Sequence, residues 1–212
     1  MADSTLWRTQ LTARLPSLAC ALDDVQVTRL IQYLGMLHLW NRTHNLTRVP
    51  PENWVDRHIV DSLVLCEKVS GRRFLDVGSG AGFPGLPLAI CAEKTEAVLL
   101  DVSSKRCAFL RQVVADLQLP NVSVCQHDIT RYHPAVQFDM VVTRAFASLE
   151  RIRACVAHVV SDEGVVWAMK ANISQKELAE LCCNHTVFRL SLIDSDEARC
   201  LVQLIPHSGL NR

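Results

Sequence analysis

The densest chemistry in this chain lies in Phe74-Leu75-Asp76-Val77-Gly78-Ser79-Gly80-Ala81-Gly82-Phe83-Pro84-Gly85. A short apolar run ends in an acid, and a glycine-rich turn follows. Glycine reaches positive φ without steric cost, so the backbone can bend sharply there. Such a bend gathers bare N–H groups and a helix N-terminus at one point, which suits the polar part of a nucleotide-type cofactor.

Two cofactor classes fit that turn. Gly80-Ala81-Gly82-Phe83-Pro84-Gly85 satisfies G-x-G-x-x-G, and Asp101 follows Gly80 by 21 residues, the place of a ribose-binding acid in dinucleotide folds. Three details favour S-adenosylmethionine instead. The turn opens at Gly78, two residues before the dinucleotide register would begin. Asp76 sits at the strand end, where a carboxylate suits the ammonium of a methionine moiety, directly or through water, and repels a pyrophosphate. Pro84 lacks the N–H that a phosphate would want at the helix start. The turn from Gly78 through Gly80 is then expected beside the cofactor. Asp101 is placed to accept the ribose hydroxyls, and Asp128-Ile129-Thr130 suits an adenine. Asp76 as a turn cap and Asp101 as a helix N-cap remain the structural alternatives.

These residues need strands that deliver them to one edge. From Gly71 onward the pattern alternates strand and helix. Strands are expected over 74–77, 97–100, 122–125, 138–142 and 165–169, with two closing strands over 187–192 and 200–205. Helices fall between, one capped by Ser103 or Ser104, one stopping near Gly164, and one opened by the capping box Ser174-Gln175-Lys176-Glu177. That order predicts an α/β fold: a seven-stranded, mainly parallel Rossmann-like sheet with helices on both faces and a crevice along its carboxyl edge. Residues 1–70 read as an N-terminal helical extension and 71–212 as the catalytic domain. Within the extension, Asp23 or Asp24 caps a helix whose stripe is Val27, Leu30, Ile31, Leu34 and Leu37, widened by Tyr33, Met36 and Trp40. The pattern breaks at residues 41–45, and Pro50-Pro51 opens a second helix with Val55, Ile59, Leu63 and Cys66 inward. Arg57, His58 and Asp61 then lie near one another.

Composition narrows the class further. Apolar residues make up 49% and charged residues 21% of the 212, as in a soluble globular protein. No signal peptide or membrane span is evident. Nine cysteines without a Cys-x-x-Cys pair read as reduced thiols of a cytoplasmic protein, with no metal site expected. The 22 basic and 22 acidic residues cancel, which argues against a general polyanion binder. Any nucleic-acid contact must be concentrated on one face.

Taken together, residues 75–87, Lys105-Arg106-x-x-Phe109-Leu110 and Thr143-Arg144-Ala145-Phe146-Ala147 resemble the glucose-inhibited division protein B family. Leu37-x-x-Trp40-Asn41, Asn45-Leu46-Thr47 and Arg57-His58-Ile59-x-Asp61-Ser62 agree, so the similarity spans nearly the whole chain. The resemblance implies a class I methyltransferase that uses S-adenosylmethionine to methylate N7 of one guanine in bacterial 16S ribosomal RNA (position 527 in the usual rRNA numbering). It also implies cofactor contacts at Gly78, Phe83, Ile129, Thr130 and Arg144. Thr130 stands where relatives often have Glu, and Thr143 where they often have Ser. The partner is then 16S RNA or the small subunit, with no membrane, no protein partner and a monomeric enzyme expected.

The residues can be set against that reaction. Guanine N7 is an exposed lone pair, so attack on a sulfonium methyl needs no general base. The chain has neither the Asn/Asp-Pro-Pro-aromatic motif of amine methylases nor the Pro-Cys of cytosine C5 methylases. Arg144 is therefore expected to position rather than deprotonate, holding a carboxylate or phosphate or bonding guanine O6; a structural pairing with Asp76 or Asp139 is its alternative. Lys105 and Arg106 open a helix, where cations oppose the macrodipole, and suit RNA phosphates better than stability. Arg57, His58 and Lys170 are further phosphate candidates, though His58 could equally be a core histidine bonded to Asp61 or Asp56. Phe146 could stack on an extruded base or sit in the core. A methyltransferase for a small molecule or protein, and a nicotinamide-dependent oxidoreductase, are the competing functions.

Overall fold

The computed structural model describes residues 2–18, 20–144, 147–190 and 199–208. Seven strands form one sheet: β1 (Arg73–Val77), β2 (Glu96–Asp101), β3 (Val122–Gln126), β4 (Phe138–Arg144), β5 (Val160–Lys170), β6 (Asn184–Leu190) and β7 (Arg199–Ile205), in the order β3-β2-β1-β4-β5-β7-β6. The first five pair in parallel, and β7 runs antiparallel to both β5 and β6. The strand order reverses between β1 and β4, so the crevice for a ligand lies beyond the carboxyl ends of these two strands.

Alternation along each strand divides the core in two. Phe74, Leu99, Met140, Val142 and Trp167 face one side, while Leu75, Val77, Val98, Val141 and Val166 face the other. The first side is covered by α1 (Ala2–Arg14), α2 (Asp24–His44) and an irregular helical stretch over 51–69. With it go α3 (Gly85–Cys91) and α4 (Ser104–Asp116); α5 (Leu149–Val156) packs on the second side, and α6 (Gln175–Ala179) precedes β6. The N-terminal helices share one hydrophobic cluster with the sheet, through Trp7, Leu30, Leu34, Trp54 and Ile59.

Asp23 caps α2 with a reciprocal box to Gln26, as its position suggests. The expected break at residues 41–45 comes later: the helix continues to His44 and ends on Asn45 in the left-handed region (φ 49°). The second helix is not regular. It begins as a 3-10 turn at Pro51–Asn53, widens to a π turn over Val55–Val60, and resumes in two short pieces. Gly164 does not end a helix but lies within β5, where the β4–β5 register shifts. There is no room for a Cβ, which would meet Val160 Cγ1 at 2.5 Å. Of the capping box at Ser174 only half forms. Its hydroxyl accepts from Glu177 N, but the Glu177 carboxylate goes instead to Lys170 and Leu149 N. The end of the sixth expected strand, residues 191 and 192, lies outside the described residues.

Candidate active site

The turn after β1 is shaped by its glycines. Gly78, Gly80 and Gly82 have φ of +72°, +60° and +99°. A Cβ at Gly82 would meet Leu86 Cδ1 at 2.4 Å and the Tyr33 hydroxyl at 2.9 Å. Gly78 N and Ser79 N donate to Leu100 O at 2.8 and 3.1 Å, which ties the turn to β2. Tyr33, fully buried on α2, donates from its hydroxyl to Ala81 O at 2.5 Å. Its membership in a helical stripe reads as core packing; the bond to the turn emerges only when α2 docks.

Asp76 takes up the cap role that was its alternative. Its side chain is fully buried and does not line the cavity beyond the turn. Oδ2 accepts from Gly85 N at 3.0 Å, so the carboxylate caps α3, the alternative reading of this acid. Burial pushes its pKa up to about 7, against the hydrogen bond from Gly85 N. Oδ1 has no hydrogen-bond partner among the described residues. Because Asp76 occupies the N-terminus of α3, that helix start has no free site for a pyrophosphate.

Asp101 ends β2 and lines a cavity of about 610 Å³. Its Oδ2 accepts from Gly80 N at 2.9 Å and its Oδ1 from Ser103 N at 2.9 Å. Ser103, not Asp101, is the N-cap of α4. Oδ1 retains a second lone-pair direction for a ribose hydroxyl, while the second direction of Oδ2 is taken by a long bond from Arg106 at 3.4 Å that a second hydroxyl would displace. Gly78, Gly80, Phe83, Asp128, Ile129 and Thr130 line the same cavity. Asp128 Oδ1 accepts from both the backbone N and the hydroxyl of Thr130, which holds the carboxyl below its usual range. Arg106 also lines this cavity and lies 3.4 Å from Asp101 Oδ2. Its side chain is still about half exposed, and Lys105 on the same turn is exposed as well.

Arg144 ends β4 across the switch point. Thr143 just before it donates to Val77 O at 3.0 Å, which pins the two strand ends together. One Arg144 guanidinium nitrogen donates to Arg57 O and lies against His58 Nδ1, both at 3.1 Å, and the guanidinium carbon stands 5.1 Å from the Phe83 ring centre. The proposed pairing with Asp76 or Asp139 is not formed; Asp139 accepts from Arg73 N. His58 is 3% exposed and stacks on Phe83 with ring centres 4.2 Å apart. Its Nε2 meets Thr47 Oγ1 at 3.0 Å. Burial and the Arg144 charge push its pKa down to about 3, so the ring is neutral. His58 is therefore no phosphate cation, and it bonds neither Asp61 nor Asp56. It is part of the socket that orients Arg144.

Behind Arg144 lies a second cavity, of about 370 Å³. Thr47 and Arg144 line both cavities; Arg57, Asp61, Lys170 and Arg199 line the second. Lys170 is not free for phosphate, because it is bonded to Glu177 and to Ala147 O. Asp61 is 1% exposed, and its Oδ2 lies 2.6 Å from an Arg199 guanidinium nitrogen. Burial raises its pKa to about 6, against the pull of Arg199 and Arg144. Thr47, Asp61 and Arg199 were not singled out as site residues from sequence. Thr47 and Asp61 do fall inside the motifs Asn45-Leu46-Thr47 and Arg57-His58-Ile59-x-Asp61-Ser62, which was the available signal; Arg199 had none. Ala145 and Phe146 lie outside the described residues.

Residues 26–200 match the family model described as rRNA small subunit methyltransferase G. The chain is 42% identical over 176 residues to a ribosomal RNA small subunit methyltransferase G of Aeromonas hydrophila, covering 82% of each chain. It is 37% identical to one of Hydrogenovibrio crunogenus over 95% of each. Among solved structures it is similar to a SAM-dependent methyltransferase from Aquifex aeolicus (TM-score 0.57, 15% identity, 72% of this chain and 93% of that one). It is also similar to a ribosomal protein L11 methylase from Lactobacillus delbrueckii (TM-score 0.54, 14% identity, 69% and 77%). At these identities the structural neighbours speak for the fold alone.

Proposed function

Since the chain belongs to the rRNA small subunit methyltransferase G family, we propose that it transfers a methyl group from S-adenosylmethionine to N7 of one guanine in 16S ribosomal RNA. The observation that carries this reading is the junction of two cavities at Arg144, one lined by a nucleoside-type strand-end acid and one by cations. The first cavity fits the cofactor. Asp101 suits its ribose, Ile129 and the Asp128–Thr130 turn suit its adenine, and Gly78, Gly80 and Phe83 form the wall along its length. The cofactor supplies an electrophilic methyl on a sulfonium.

What remains for the protein is placement, which can contribute roughly 7–11 kcal/mol when reactants are well aligned. Arg144 is suited to hold guanine O6 beside the attacked nitrogen, because its socket of His58, Arg57 O and Phe83 fixes the guanidinium. His58, neutral and stacked on Phe83, withdraws no proton, and N7 attack requires none. Asp76 contributes by capping α3 behind the turn, and a water could carry its charge to the cofactor's ammonium. Arg57 and Lys105 are proposed to meet RNA phosphates. Position 527, a monomeric enzyme, a cytoplasmic location and the division at residue 70 belong to the same proposal; among the described residues no helix is long and apolar enough to cross a membrane.

Methyl transfer from labelled S-adenosylmethionine to naked 16S RNA, small subunits and mature ribosomes, with mapping of the modified nucleotide, tests the reading. Saturable binding of NADH without S-adenosylhomocysteine would overturn it. A flat salt dependence of RNA binding would remove the phosphate contacts.

A further inference from the structure

The Asp61 carboxylate stands out among the charged groups that the proposed reaction leaves unused. It is fully buried, it lines the second cavity, and neither of its oxygens has a hydrogen-bond partner among the described residues. The nearby Arg199 is at ion-pair distance, 2.6 Å, yet out of line for a hydrogen bond. A buried carboxylate left in this state is costly, because desolvation is offset by charge alone and not by donors. A purely structural acid of this kind is normally met by the paired donors of an arginine fork. Here no such fork is formed, and the acid meets Arg199 through one 2.6 Å contact at the edge of the cavity it lines.

The shape of guanine matches that cavity. N7 and O6 adjoin on one edge of the purine, and N1–H and the exocyclic N2–H₂ lie on the edge remote from N7. Arg144 forms the wall between the cavities. A base that presents N7 toward the first cavity and O6 toward Arg144 therefore sends N1–H and N2–H into the second, toward Asp61. Resting on the methylation reading above, we infer that the second cavity receives the extruded target base and that Asp61 accepts hydrogen bonds from its N1–H and N2–H, selecting guanine. Adenine would turn an N1 lone pair toward the carboxylate and lacks the second donor, so it is repelled rather than merely unrecognised. Cations at Arg57, Arg144 and Arg199 around the cavity keep the acid ionised as it receives the base and suit the phosphates flanking an extruded nucleotide.

The experiment compares 16S RNA substrates, assembled by ligation, that carry guanosine or inosine at the methylated position. Inosine keeps N7, O6 and N1–H and lacks only the 2-amino group. The wild-type enzyme should favour guanosine by at least about tenfold in kcat/KM, since a bond to a charged acceptor is lost. Asp61→Asn should lower guanosine methylation and bring the two substrates within about threefold, with S-adenosylhomocysteine affinity unchanged. Equal methylation of both RNAs by the wild-type enzyme, which needs no variant to fold, would overturn the inference and leave the methylation reading intact. So would an Asp61→Asn enzyme that keeps the full preference. Methylation of neither RNA overturns the underlying reading, and the inference with it.

Discussion

The two cavities on either side of Arg144 are built by different means. The first is built on strand ends, a glycine turn and two carboxylates already engaged by backbone N–H groups, Asp101 by Gly80 and Ser103 and Asp128 by Thr130. The second is made from charged side chains that come from the irregular helical stretch, β4, β5 and β7. A backbone-built pocket is stiff and tolerates no added atoms. A side-chain pocket holds its charges in pairs that a ligand can exchange, as in Asp61–Arg199 and Lys170–Glu177, so it should respond to substitution in specificity more than in stability.

The contrast is broken most severely at Gly82. Gly82→Ala forces a Cβ against Leu86 and Tyr33 at a φ of +99°. We expect a loss of about 3 kcal/mol in denaturant unfolding together with loss of S-adenosylhomocysteine binding. A stable, cofactor-competent variant would mean the turn is softer than described. Next in size, Arg144→Ala should reduce methyl transfer by about a hundredfold while changing S-adenosylhomocysteine affinity far less, read from kcat/KM and calorimetry. Loss of both in equal measure would assign Arg144 to the first cavity only. Asp101→Asn should weaken S-adenosylhomocysteine by about tenfold with little effect on RNA binding.

Smaller effects sharpen the boundary between the two. Arg106→Ala should weaken S-adenosylhomocysteine by no more than about threefold, because a half-exposed pair at 3.4 Å contributes little. Lys105→Ala should instead lower the salt slope of RNA binding by about one contact and leave the cofactor untouched. The pH dependence separates the regions last. His58, pushed down to about 3 from an ordinary 6.5, contributes stability that is complete above pH 6.5 and is lost as pH falls toward 3. Asp76, raised to about 7, has the opposite sign, its contribution being complete below 3.8 and lost as pH rises through 7. His58→Gln should therefore lose less stability than the wild type between about pH 6.5 and about pH 4 in denaturant titrations. An unchanged or steeper loss would show that the ring is not held neutral.

Much of the sheet was legible because parallel strands buried on both faces read as apolar runs, and each run here ends in a chemically distinctive residue. Asp76, Asp101 and Arg144 are such ends. Their partners were less accessible. Asp76 was expected to meet the cofactor directly or through water, and its carboxylate caps α3 because the helix start folds back over it. Arg106 was assigned to RNA, and one helical turn also brings its half-exposed side chain within 3.4 Å of Asp101. Lys170 was a phosphate candidate until α6 brought Glu177 beside it. His58 is buried because the π turn over Val55–Val60 rotates it inward onto Phe83. In each case the difference concerns which neighbour a charged or polar group finds, not where the residue sits along its element.

Local chemistry, then, was sufficient for the glycine turn, the strand-end acids and the alternation that makes a doubly covered sheet, because φ preferences and hydrophobic period act within a few residues. The second cavity was decided by the tertiary structure alone. Thr47, Asp61, Arg144 and Arg199 are separated by up to 152 positions in the chain and meet only after the β7 return and the helical stretch close over the switch point. Coulomb and hydrogen-bond partners are chosen by distance in space, and no spacing along the chain encodes that distance.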